Sequence, residues 1–122
     1  MAAEEEEEER GTAHPTFSVN VLGPRRGVAH VVLDGELDMV SSPELQRDIG
    51  DLLRSSPSRV VIHLDRLTFI DSAGLRALLA IDDAARDAGT EIRLLPGSPD
   101  VMGVVEAAGL LGRLPFAEND QP

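Results

Sequence analysis

The chain has 122 residues, 42% of them hydrophobic but only 2% aromatic, with three Phe and no Tyr or Trp. That length suits one domain with an aliphatic core of Leu, Val, Ile and Ala, and so few aromatics exclude a stacking platform for nucleic-acid bases. Formal net charge is −11, of which the six glutamates Glu4 to Glu9 carry −6 and leave −5 for the remainder; neither value suits nucleic acid or an anionic membrane surface, both of which call for a basic face.

In chain order, residues 1–13 are low in complexity and like-charged. A segment that repels itself and buries no apolar area is expected to be a disordered acidic tail. It has neither the basic n-region nor the apolar h-region of a secretory signal. A single domain is expected over residues 14–117, with residues 118–122 a frayed C-terminal tail. Phe17, Val19 and Val21 alternate with the period of a half-buried strand, and Val28 to Leu33 is a second apolar strand. Gly23-Pro24-Arg25-Arg26-Gly27 between them is rich in turn formers, so the two are expected to pair as an antiparallel hairpin. Asp34-Gly35-Glu36-Leu37-Asp38 then reads as a polar loop leaving the strand.

Ser42-Pro43-Glu44 has the composition of a helix start: a serine that can cap, a proline that fits the first turn and an acid at the positive end of the dipole. Leu45, Ile49, Leu52 and Leu53 then share one face, and Ser55 to Ser58 ends the helix. Arg59 to Ile70 is a long, nearly unbroken apolar run and reads as a central strand covered on both faces. A second helix is expected from Ser72 to Ala88, with Leu75, Leu78, Leu79, Asp82 and Ala85 on one face and Gly89 just past its end. Ile92, Leu94 and Leu95 make another strand. A third helix starts at Ser98-Pro99-Asp100 and runs through Val101, Val104, Val105 and Ala108. Leu111, Leu114 and Phe116 are left for a short last helix or an edge segment. The order β-β-α-β-α-β-α implies parallel pairing through right-handed crossovers, with an antiparallel edge from the first hairpin.

Chemistry concentrates at Asp71-Ser72, where the apolar strand hands over to a helix. Two readings are open. One of the two side chains can cap the helix, which is worth about 1 kcal/mol. Alternatively, Ser72 accepts a phosphate of about −1.5 to −2 charges, which a helix N-terminus tolerates through its free N–H groups while Asp71 repels it. Gly74 has no side chain to keep a partner from the backbone. The carboxylates Asp34, Glu36 and Asp38 form either a solvated loop or an acidic rim beside Ser72. His14, His30 and His63 are scattered without metal-ligand spacing. Cysteine is absent, which removes disulfides, thiolate metal sites and Cys nucleophiles. Ser72 is not framed by a nucleophile elbow, and the chain has no phosphate-binding P-loop, so hydrolase and nucleotide-binding readings lack their motifs.

Three segments carry a resemblance: Asp34-Gly35-Glu36-Leu37-Asp38 with the helix start Ser42-Pro43-Glu44-Leu45; Phe69-Ile70-Asp71-Ser72-Ala73-Gly74-Leu75 at the strand–helix junction; and Ala107-Ala108-Gly109-Leu110 closing a late helix. In this order they resemble the STAS domain family, in particular its bacterial anti-sigma factor antagonists, over about residues 16–116. The resemblance implies an α/β STAS fold: a mixed four- to five-stranded sheet with an antiparallel edge hairpin and three to four helices packed on it. It implies a binding protein rather than an enzyme, without cofactor or metal, cytoplasmic, and with no nucleic-acid or membrane partner. Ser72 matches the serine phosphorylated by the anti-sigma factor, a GHKL-type serine kinase; the unphosphorylated antagonist binds that kinase and frees the sigma factor, and a PP2C-type phosphatase restores the serine. ATP and Mg²⁺ belong to the kinase. Asp38, Asp71, Ser72, Ala73, Gly74 and Leu75 are implied at the partner contact. Ala73 stands where the family often has Ser or Thr, which leaves Ser72 as the only hydroxyl of the motif. The alternative within the family is an unphosphorylated subunit of a larger assembly, such as a lipid-transport ATPase or a stress-sensing complex.

Overall fold

The structure, a computed structural model, describes residues 16–117. The acidic segment read over residues 1–13, His14 and the tail of residues 118–122 lie outside the described residues. Strand β1 (Phe17–Arg25) and strand β2 (Val28–Leu37) pair antiparallel, with Val19 opposite Leu33 and Val21 opposite Val31. Helix α1 (Ser42–Leu53) leads to β3 (Arg59–Ile70), helix α2 (Ser72–Ala88) to β4 (Glu91–Leu95), and α3 (Pro99–Ala107) follows. The sheet order is β1-β2-β3-β4, with β2, β3 and β4 mutually parallel. After α3, Phe116 bridges to Leu94 in parallel, and the Leu94 N–H donates to the Pro115 carbonyl at 2.9 Å. Residues 115–117 therefore form an edge segment beside β4, while Leu111 and Leu114 lie in the turn before it, where the Leu114 N–H donates to the Leu110 carbonyl at 3.0 Å.

Two expectations about the strands are corrected. First, β2 does not stop at Leu33. Asp34, Gly35 and Glu36 belong to it because neighbours on both sides hold the backbone: Gly35 is opposite Phe17 of β1, and Asp34 and Glu36 are opposite Arg66 and Phe69 of β3. Two paired edges outweigh the local polarity, and the polar side chains stand at or near the surface. Gly35 is required here, at φ 105°, because a Cβ would sit 1.8 Å from the Thr16 carbonyl oxygen. Second, β3 is covered on one face only. Val60, Ile62 and Leu64 are buried, whereas Val61 and His63 are half-buried and Asp65 and Arg66 exposed. The crossovers explain this: both step across the sheet in the same direction, so right-handedness puts α1 and α2 on the same side.

The core fills that one interface. Ala29, Val31, Leu33 and Leu37 of β2 meet Leu45 and Ile49 of α1, with Ile92 and Leu94 of β4 and Val101 and Val105 of α3 completing it. On α2 the buried stripe is Leu75, Leu78, Ile81 and Ala85; Leu79 lies at its margin. The stripe is rotated from the expected Asp82 toward Ile81, and Asp82 instead bonds Arg86 at 2.6 Å. Gly89 ends α2 in the left-handed region at φ 80°.

Candidate functional site

The site grows from the paired ends of β2 and β3. Leu37 and Ile70 are opposite one another, and the Asp71 N–H donates to the Leu37 carbonyl at 3.3 Å. Two segments therefore leave the sheet side by side, one into α1 and one into α2.

In the second segment Asp71 adopts an extended backbone and caps α2. Its Oδ1 accepts the Gly74 N–H at 2.9 Å, and its carbonyl accepts the Leu75 N–H at 3.0 Å. Ser72 is the first helical residue. It is exposed, and its hydroxyl makes no hydrogen bond among the described residues. Of the two readings left open by the sequence, the cap thus belongs to Asp71 and the Ser72 hydroxyl is spare. The Ser72 and Ala73 N–H groups fall in the first turn, where no intrahelical acceptor exists. Ala73 is half-buried beside Ser72.

Gly74 and Leu75, implied by the resemblance at the partner contact, lie beneath the surface of the turn. Gly74 is buried, and a Cβ there would lie 2.6 Å from the Leu37 carbonyl oxygen and 2.8 Å from Ile70 Cγ1. Its missing side chain admits the end of β2. Leu75 is only 4% exposed and belongs to the core. Both residues set the position of the Ser72 turn from beneath.

The first segment is organised by Asp38. Its Oδ1 accepts the N–H groups of Val40 and Ser41 at 3.0 Å each, and the Asp38 N–H donates to Ser41 Oγ at 2.9 Å. The Ser41 hydroxyl lies 2.7 Å from the Glu36 carbonyl, which accepts its proton. Ser42 was expected to cap by accepting a backbone N–H. It lies instead inside the helix and donates from Oγ to the Asp38 carbonyl at 2.6 Å, while Ser41 holds the cap position. Asp38 is therefore a loop organiser, and what its turn displays is Met39 and Val40, 73% and 64% exposed. Phe69, 45% exposed and opposite Glu36 near the end of β3, adds a third exposed apolar residue close in sequence to the paired strand ends from which α1 and α2 leave. The sequence reading passed over these three. The signal was present as two adjacent apolar residues, Met39-Val40, between an aspartate and a serine pair, where a solvated turn has no use for them.

Elsewhere, the parallel register of β2 and β3 brings together two histidines that the sequence left apart. His30 Nδ1 and His63 Nε2 are 3.0 Å apart on the uncovered face of the sheet. Also on that face, Glu91 is held below the usual carboxylate range by hydrogen bonds from Arg93 and then Arg59. Among the described residues no three His, Asp or Glu side chains converge as a metal ion requires, and no helix is long and apolar enough to cross a membrane.

Comparison with known proteins places these features in a family. Residues 24–121 match the STAS domain. A Bordetella bronchiseptica protein, BtrV, named as a candidate anti-sigma factor antagonist, is 30% identical over 93 residues, which is 76% of this chain and 80% of the relative. The anti-sigma F factor antagonist of Paenibacillus polymyxa is 29% identical over 78% of this chain and 82% of its own length. Among solved structures, an anti-sigma factor antagonist from Mycobacterium paratuberculosis superposes with a TM-score of 0.74 at 28% identity, covering 88% of this chain and 92% of that one.

Proposed function

The chain belongs to the STAS domain family, and from that premise we propose that it is an anti-sigma factor antagonist whose partner contact is controlled by phosphorylation of Ser72. The observation that carries the reading is the division of labour at the α2 N-terminus: Asp71 caps, and the exposed Ser72 hydroxyl makes no hydrogen bond among the described residues. The names of the similar proteins, antagonists of anti-sigma factors in three bacteria, supply the class of partner.

In the unmodified state the anti-sigma factor docks on the Ser72 turn, with Met39, Val40 and Phe69 as the apolar contact and Asp71 and Ala73 at its edge. Asp38, Gly74 and Leu75 hold that surface in shape. The sigma factor is released by competition. The partner is also a GHKL-type serine kinase. It transfers the γ-phosphoryl group of its own Mg²⁺-bound ATP to Ser72 Oγ, the hydroxyl proton is lost and ADP leaves. The product carries a dianion at the centre of the contact and no longer binds. A PP2C-type phosphatase hydrolyses the phosphate ester and restores the serine. Each of these partners works in the bacterial cytoplasm.

The test is incubation with the anti-sigma kinase of the same genome and ATP, followed by mapping of the modified residue. Label on Ser72, lost in Ser72→Ala while that variant still binds, is the expected result. Ser72→Asp is expected to fold normally and bind weakly. Label elsewhere, or equal affinity of the Ala and Asp variants, refutes the switch and favours the subunit of a larger assembly.

A further inference from the structure

Resting on Ser72 as the acceptor, we infer that Arg76 is the built-in counter-charge of the modified state, the residue that holds the phosphate of phosphoserine 72 on its own helix. Ser72 and Arg76 are four residues apart on α2 and both are exposed, opposite the stripe of Leu75, Leu78 and Ile81 that faces the core. Helical side chains lean toward the N-terminus, so a long side chain at i+4 lies back over residue i. An anion with a cation four residues C-terminal to it is also the favourable order for a helical ion pair.

Arg76 is uncommitted among the described residues. It makes no ion pair or hydrogen bond among the described residues, whereas Arg86 on the same helix is bonded to both Asp82 and Asp83. The nearest acid in the chain, Asp71, has its Oδ1 turned to the Gly74 N–H at 2.9 Å. The Ser72 hydroxyl is neutral and gives a guanidinium little to hold. A phosphoserine there offers three strong acceptor oxygens, and the planar fork of an arginine binds two of them at once. The pair therefore forms only in the modified state. It ties the phosphate over the first turn of α2, beside the 39–40 turn, and it adds no contact to the unmodified protein.

The test installs phosphoserine at position 72 during translation, in the full chain and in Arg76→Ala, so that no kinase is needed. The ³¹P signal of each is followed against pH. The other charges near the start of α2 are Asp71 at its cap, Asp38 after the paired end of β2, and Glu44 and Arg47 in the first turns of α1, which packs against α2; all four are the same in both proteins and cancel in the comparison. The parent phosphate is expected to lose its second proton roughly 0.2–0.4 pH units below that of Arg76→Ala, and salt at about 1 M is expected to erase the difference. The unmodified Arg76→Ala protein, melting like its parent, certifies that the comparison is between folded proteins. Coincident titrations overturn the assignment. Because the phosphoserine is supplied in synthesis, that outcome is separate from whether any kinase labels Ser72.

Discussion

Asp71 and Ser72 are adjacent, and each has a side chain suited to capping, yet the structure gives them unequal energetic weight. Replacing Asp71 with Ala removes the acceptor 2.9 Å from the Gly74 N–H. Gly74 is buried against Leu37 and Ile70, so water does not readily take the place of the lost oxygen. The loss of a cap costs about 1 kcal/mol, and a buried N–H left without a partner raises that to about 2 kcal/mol. For a domain of this size about 1 kcal/mol lowers the melting temperature by roughly 4–8 °C. Asp71→Ala is therefore expected to melt roughly 5–15 °C below the parent, while Asp71→Asn, which keeps an acceptor oxygen, stays close to it. Ser72→Ala removes a hydroxyl that bonds to nothing among the described residues and is expected within about 0.5 kcal/mol of the parent. Thermal melting followed by circular dichroism, with urea titration as a check on the slope, measures all three. If Ser72→Ala destabilised the protein as much as Asp71→Ala, the serine would be the structural residue and the argument for a spare hydroxyl would fail.

Gly74→Ala is expected to lose about 1–2 kcal/mol by urea unfolding despite the higher helix propensity of alanine, because the new methyl meets the Leu37 carbonyl oxygen at 2.6 Å and α2 has to shift; an unchanged midpoint would show that the turn is loosely held. Met39→Ser and Val40→Ser together are expected to leave the melting temperature nearly unchanged and to weaken anti-sigma factor binding about tenfold or more by calorimetry; unaltered affinity would move the contact away from this turn. Glu91 ionises below its unfolded value of 4.5, held there by Arg93 and Arg59, so its small stabilising effect is present above that value and lost as pH falls through the lower folded one. The melting-temperature gap between the parent and Glu91→Gln is expected to be flat at neutral pH and to shrink as the pH falls below the unfolded value; a gap that widened in acid would reverse the sign.

The elements were legible where one physical signal dominated. Alternation marked β1, the spacing of Leu45 and Ile49 marked α1, and Gly89 closed α2 as a left-handed residue. The acidic end of β2 was misread because local polarity says loop, and only the pairing of Asp34 and Gly35 with strands on both sides says otherwise. The one-sided cover of β3 was hidden for a related reason: a rich apolar run does not report which face the helices occupy, and two crossovers in the same direction decide it. At the site, Ser72 and Asp71 were found from the junction itself. The division of tasks between them required the geometry of the Gly74 N–H. Gly74 and Leu75 shared a motif with Ser72 but not its exposure, since a helix turns 100° per residue and carries successive positions from surface to core.

Those separate observations meet in a single energetic argument about the proposed switch. The Asp71 cap and the Gly74–Leu37 contact do not involve the Ser72 hydroxyl, so a phosphate there is expected to leave the domain folded although Asp71 repels it. Its effect falls on the surface, where Met39 and Val40 offer apolar area beside it. A partner that covers this turn must strip water from whatever stands at residue 72. For a hydroxyl the cost is small, and one hydrogen bond offsets it. For a dianion it is several kcal/mol even when partly paired, and each 1.4 kcal/mol is tenfold in affinity. Under the proposed switch, a surface that binds its partner when neutral is expected to refuse it when charged, by a factor on the order of a thousand for about 4 kcal/mol, with the fold itself unchanged. Apolar display, spare hydroxyl and independent cap are three parts of that device, and each is useless for switching without the other two.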